Sequence, residues 1–150
     1  MKFFLGILLF LASVIFGYIS STKFTKRTDL FSEFCAFNQL TISEVEFAQN
    51  TINTIINSID SSFAKDVKSY LEQGNFIKYD FLNEEENNLI LTYLKNVGAQ
   101  DKISQLQYLK KIDLDINRRL DVCKEEMKKY KSLYVKVGYL VGLILFVLVL

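Results

Sequence analysis

Few residues in this 150-residue chain could do chemistry, and their kinds narrow the possibilities at once. Histidine is absent, which removes His-based general bases, Ser-His and Cys-His nucleophile pairs, and the usual zinc sites. The two cysteines, Cys35 and Cys123, lack a CxxC spacing and are too few for a disulfide framework. They read as small buried apolar residues. The carboxylates that stand close together are Asp113 with Asp115 and the run Glu84-Glu85-Glu86. Acids on a single helix do not converge on one ion without further ligands, and no phosphate-cradling glycine loop accompanies them. They read as capping and solvating groups. The expectation is a chain that is not an enzyme, with no catalytic residue, metal or cofactor and no small-molecule substrate.

What the charges can do is steer a partner. The formal net charge is +1, but it is segregated. Lys23, Lys26 and Arg27 form a basic collar, and Asp29 to Asp121 holds 15 acids against 9 bases. From Val122 to Lys136 five lysines face only Glu125 and Glu126. Between Thr28 and Ala64 five acids, Asp29, Glu33, Glu44, Glu46 and Asp60, occur without a single base. A surface of one sign can guide and select a basic partner, so these five are the candidate partner-binding residues. The plainer reading of such a stretch is a solvated face. Nucleic acid is not an expected partner, because the bases sit at the collars where they would meet lipid headgroups.

The elements that carry these charges follow from the apolar pattern. Phe3 to Ile19 and Val137 to Leu150 carry no charge. The first run, taken to Ser20, spans about 27 Å as a helix, close to bilayer thickness. The second reaches a similar length only with Leu133 to Lys136, the lysine snorkelling to the headgroups. Both collars flank the ends that face the middle of the chain, which places that middle in the cytoplasm by the positive-inside rule. A cleaved signal peptide is the rival reading of the first run. It lacks an A-x-A-like site, since Ile19 occupies the critical position, and cleavage would export the lysine-rich 124–136 segment. The expected division is a transmembrane helix over 1–21, a cytoplasmic helical bundle over 22–133 and a second transmembrane helix over 134–150.

Proline is absent and glycine occurs six times, which favours long helices over a turn-rich β fold. The fold class expected is all-α, an antiparallel helical bundle with transmembrane helices at both ends. Phe31, Phe34, Cys35, Ile42 and Val45 recur at helical spacing, so one helix continues from the first apolar run to about Phe47. Asn50 to Ser58 makes a short second helix. A third starts at the Asp60-Ser61-Ser62 turn and runs to about Gln73, with Gly74 well placed as its C′ residue. Phe76 to Leu82 is ambiguous between loop and one helical turn. Asn83 with Glu86 forms a capping box for a helix ending near Gly98. Asp101 caps the last helix, whose seam, Leu109, Ile112, Ile116, Leu120, Cys123, Met127, Tyr130, Tyr134 and Val137, passes unbroken into the second apolar run. That helix rises on the order of 50 Å before the membrane.

Two stems leaving one face of a membrane should pack together. Equal distances from the bilayer would set Cys35 and Cys123 at similar height, Glu33 near Lys124 and Glu46 near Lys111. Within the membrane Gly6, Ser13 and Gly17 share one helical face, and Gly138 with Gly142 forms a G-x-x-x-G pair. These are candidate packing residues, since small side chains let helix backbones approach in lipid; plain apolar filler is the alternative.

Glu44-Val45-Glu46-Phe47 before Asn50-Thr51-Ile52, Asn83-Glu84-Glu85-Glu86 through Leu94, Gly98 with Asp101 and Gln105, and Tyr130, Tyr134, Gly138 and Gly142 before the terminal apolar run resemble the stage III sporulation protein AB family in order and spacing. The chain departs from that pattern at Ile52, where proline is usual, and at Leu94, where a small residue is usual. The resemblance implies a part in endospore formation, as a platform in a secretion-like channel complex between mother cell and forespore. It implies a soluble domain similar to the cytoplasmic domain of the type II secretion platform protein. The implied partners are a secretion-type ATPase, stage III sporulation protein AA, and the other channel subunits. Two other classes fit the same residues: a small pore-forming protein of the holin sort, and a membrane-tethered helical adaptor that dimerises through its seam.

Overall fold

The computed structural model describes residues 2–48, 52–99 and 101–149. Among these residues the secondary structure is helical, with no strand. Helix α1 covers Lys2–Ser43 and widens into a π-helical turn over Glu44–Ala48. It is followed by α2 (Ile52–Ser58), α3 (Ser62–Gln73), α4 (Glu84–Asn96) and α5 (Lys102–Val149). The expected start of the second helix at Asn50 lies outside the described residues. The chain divides into two compact units: residues 1–28 with 122–150, and residues 29–121.

The second unit is a helical body around an aromatic core. Phe31, Phe34 and Phe37 recur at steps of three on α1, so they fall on one helical face. That face meets Phe63 of α3 and Tyr93 of α4, with Phe34 stacked on Phe63 at 4.6 Å and edge-on to Tyr93 at 4.7 Å. Such ring pairs add about 0.5–1.5 kcal/mol each beyond the area they bury. Leu109, Ile112, Ile116 and Leu120 of α5 complete the core.

Local chemistry ends the helices where the residue types require it. Ser61 accepts from the Ala64 N–H at 3.0 Å at the start of α3, and Gly74 closes that helix at φ 71°. Few residues other than glycine tolerate that left-handed conformation. Asn83 and Glu86 form the reciprocal capping box of α4. Asp101 accepts from the Ser104 N–H at 3.2 Å at the start of α5.

The segment Phe76 to Leu82 is a loop that ends in one hydrogen-bonded turn, where the Leu82 N–H donates to the Tyr79 carbonyl at 3.2 Å, and the buried Asn87 of α4 organises it. Asn87 accepts from the Tyr79 N–H at 2.9 Å and donates to the carbonyls of Tyr79 at 3.2 Å and Asn83 at 3.1 Å. One side chain thus satisfies backbone groups that a helix would have satisfied itself.

The first unit is an antiparallel pair made by the start of α1 and the end of α5. Thr28 donates to the Cys123 carbonyl at 3.2 Å, Arg27 pairs with Glu126, and Phe24 stacks on Tyr130 at 5.6 Å. Val137, expected on the seam, is 47 % exposed, and Gly138 is buried in its place. A helix of 3.6 residues per turn drifts off a repeat of three and four, so over several turns the buried line moves to the next residue.

Within the body α1 and α5 pack together, as expected of the two stems. In the body the Cys35 thiol donates to Asn117 at 3.2 Å, six residues before Cys123. Glu33 meets the α3 N-terminus instead of Lys124, and Glu46 meets Lys110 instead of Lys111. Close backbone approach and buried polar pairs set the register, not equal distance from an estimated membrane boundary.

Candidate functional site

The five acids between Thr28 and Ala64 have different environments. Asp29 is exposed on α1. Glu33, one turn further on, accepts the Phe63 N–H at 2.9 Å. Its carboxylate thereby serves as a second cap at the positive end of α3. Glu46 pairs with Lys110 of α5 at 3.1 Å, and Glu44 is half-buried. Asp60 pairs with Lys65 at 2.8 Å, a hydrogen bond that holds its carboxyl below, and the Lys65 ammonium above, their ordinary ranges. Glu33, Glu46 and Asp60 therefore have partners within the chain, which reduces the one-sign field that the sequence suggests.

Sequence reasoning passed over a polar ladder between α1 and α5 in the body. Asn38 is fully buried and donates to Asp113 at 2.9 Å and to the Leu109 carbonyl at 3.3 Å. Asn117 donates to the other Asp113 oxygen at 2.9 Å and accepts from Cys35. Asp113 is thus held from two sides and joins the helices, while Asp115 pairs within α5 with Arg119 at 3.4 Å. A legible signal existed, since Asn38 fills the step between Cys35 and Ile42 and Asn117 follows Ile116 of the seam. Among the described residues no group of three or more cysteine, aspartate and glutamate side chains is placed to hold a metal ion.

Close by, the Tyr93 hydroxyl is buried without a hydrogen-bond partner among the described residues. The neighbouring Thr41 hydroxyl donates to the Phe37 carbonyl at 2.8 Å. Burial pushes the Tyr93 phenol well above its ordinary range.

In the first unit small residues bring the two helices together. A methyl group added at Gly17 would lie 2.9 Å from the Tyr134 carbonyl oxygen and 3.0 Å from the Gly138 Cα. One added at Gly138 would lie 3.0 Å from the Ser13 carbonyl oxygen and 3.1 Å from the Gly17 Cα. Ser13 also donates its hydroxyl to the Gly138 carbonyl at 2.8 Å. Gly6 and Gly142 differ, because each faces a ring of the other helix, Phe146 and Phe10 respectively. Lys23 lies 5.0 Å over the Phe24 ring and 5.4 Å over that of Tyr134, at the basic end of this pair.

Phe3–Phe47 and Lys102–Val149 are each long and apolar enough to cross a membrane. Only 11 % of the most apolar window of each is buried within the chain, whereas the core helix of a soluble protein would be mostly covered. Phe4, Phe16 and Leu148 are among the large apolar side chains left outward. An outward apolar surface of this extent belongs against lipid or another protein.

The sequence of the chain matches the family described as stage III sporulation protein AB over residues 74–150, from the loop after α3 to the end of α5. Glu44-Val45-Glu46-Phe47 and Asn50-Thr51-Ile52 lie outside that match, and Asn50 and Thr51 also lie outside the described residues. No curated protein and no solved structure matches the chain. The match takes in Asn83 with Glu86, Gly98, Asp101, Gln105, Gly138 and Gly142, and it covers just over half of the 150 residues. The chain therefore belongs to the stage III sporulation protein AB family, and its function lies in sporulation.

Proposed function

We propose that the chain is a non-enzymatic membrane platform of the channel complex between mother cell and forespore, held by two transmembrane helices and docking a secretion-type ATPase through its helical body. Membership of the family carries the reading. The two outward-facing apolar helices support membrane insertion. Lys23, Lys26 and the lysines from Lys124 to Lys136 support a body on the cytoplasmic, mother-cell side. The energy-coupling chemistry then belongs to the ATPase.

Docking would use the α1 side of the body, with Asp29, Glu33, Glu44, Glu46 and Asp60 as the contact surface. Asp29, the most open of the carboxylates on α1, would make the largest contribution. A seam dimer is less favoured, because Leu109, Ile112, Ile116 and Leu120 are buried within the chain's own body. The test is retention of a stage III sporulation protein AA-type ATPase by the detergent-solubilised full chain. Retention that weakens with salt and with Asp29→Lys is expected. No retention from a detergent that preserves the helical fold would count against docking. A reporter fused at Gly74, where an added Cβ meets nothing within 4 Å, should be active only in the cytoplasm. Activity outside the membrane would reverse the topology.

A further inference from the structure

In the first unit a groove of about 450 Å³ lies along α5, lined by Met127, Lys128, Lys131, Ser132, Val135 and Lys136. That volume falls within the roughly 300–1,000 Å³ of small-ligand sites. By helical period Lys128, Ser132 and Val135 lie on the side opposite Tyr130 and Tyr134, the residues that meet Phe24 of α1. Met127 falls by the same period on the Tyr134 side, so the groove runs from the edge of the helix pair to the outward face of α5. Its three lysines are exposed, and none has a carboxylate partner among the described residues. Glu126, a nearby acid, is engaged by Arg27. Three cations thus line the groove together with the apolar Met127 and Val135, immediately before the uncharged run Val137 to Leu150.

We propose that this groove is a binding site for the phosphodiester headgroup of an anionic phospholipid, its lysines holding the phosphate and Met127 and Val135 lying against the glycerol and first acyl carbons. The inference rests on the two-span reading, which sets residues 127–136 at headgroup depth. Lysine suits the role because its flexible stem lies along apolar surface while its ammonium reaches a phosphate as a point charge. An acidic protein segment would satisfy the cations but would gain nothing from apolar groove residues that continue into a lipid-facing helix. A lipid matches both halves of the groove.

Native mass spectrometry of the full chain in detergent, titrated with phosphatidylglycerol or phosphatidylcholine, tests the site. Retention of phosphatidylglycerol over phosphatidylcholine is expected. About five-fold weakening per lysine is expected on substitution by glutamine, and on the order of 100-fold for Lys128, Lys131 and Lys136 together. Removing the same charge elsewhere in the collar, with Lys23, Lys26 and Lys129 changed to glutamine, should leave most of the retention. The three Lys→Arg changes in the groove should restore it. Circular dichroism of each variant confirms that the helices persist. Equal retention of the two lipids, or equal loss from both triple variants, would overturn the site in favour of a diffuse collar. Displacement of the lipid by millimolar inorganic phosphate, or by an acidic peptide, would overturn it in favour of that ligand. A chain that washes off membranes in alkaline carbonate would refute the two spans and the groove together. A chain that stays in the membrane yet shows no lipid preference refutes the groove alone.

Discussion

Replacing Gly138 by alanine adds one methyl group at the closest approach of the two membrane-type helices, and the surroundings set its cost. The new Cβ would lie 3.0 Å from the Ser13 carbonyl oxygen and 3.1 Å from the Gly17 Cα, where ordinary contact begins at 3.4 Å. Both obstacles are backbone, so the helices themselves must part by a few tenths of an ångström. Overpacking of this kind costs about 1–3 kcal/mol. Parting also stretches the 2.8 Å hydrogen bond from Ser13 to Gly138, worth about 0.6 kcal/mol in such settings. Alanine returns about 0.8–1 kcal/mol through its better helix propensity. The expected net is a loss of about 1–2 kcal/mol, and Gly17→Ala should match it, since its obstacles are again backbone at 2.9 and 3.0 Å. Gly6→Ala meets first the rotatable ring of Phe146, at 2.9 Å, and should be neutral or stabilising by up to about 1 kcal/mol. Gly142→Ala meets the Phe10 ring at 2.8 Å and its carbonyl at 3.2 Å, and should fall between. The assay is unfolding of the full chain in mixed micelles, followed by circular dichroism as the fraction of denaturing detergent rises. If Gly138→Ala proves as stable as the parent, or the four substitutions cannot be ranked, the close-approach argument is wrong.

Tyr93→Phe removes a buried hydroxyl that has no hydrogen-bond partner among the described residues, so thermal melts at pH 7 should show no loss, or a gain of up to about 1 kcal/mol; a loss above 2 kcal/mol would reveal a bond the structure lacks. The folded Tyr93 phenol titrates well above its ordinary 10.0, so its share of stability is complete below pH 10 and is lost as pH rises beyond it. Tyr93→Phe should flatten that decline by about 1.4 kcal/mol per pH unit above pH 10, and an unchanged slope would contradict the burial argument. Glu33→Ala strips the second cap from α3 and should cost about 1 kcal/mol in a denaturant melt, with Glu33→Gln, which keeps an acceptor, costing less; equal costs would mean that packing, not capping, is at work. Asn87→Ala should loosen the 76–82 loop, seen as faster amide exchange at Tyr79, with about 1–3 kcal/mol lost from unsatisfied backbone groups; unchanged exchange at Tyr79 would refute its clasping role.

The helices, their caps and the two apolar spans were legible in the sequence because they depend on neighbours three and four residues apart. Ser61, Gly74, Asn83 with Glu86, and Asp101 act within one turn of their own helix, so composition and spacing sufficed to place the ends of α3, α4 and α5. The absence of histidine limited the chemistry without any structure. Register between helices was another matter. Cys35 meets Asn117, Glu46 meets Lys110 and Val137 yields its place to Gly138, because steric contacts, hydrogen bonds and ion pairs act between residues 64 to 125 apart in the chain. The same holds for the acids. Glu33, Glu46 and Asp60 share a sign in the sequence, but one caps α3 and two pair with lysines, on α5 and on α3. A local pattern states what each residue prefers, and only tertiary packing determines which partner satisfies it.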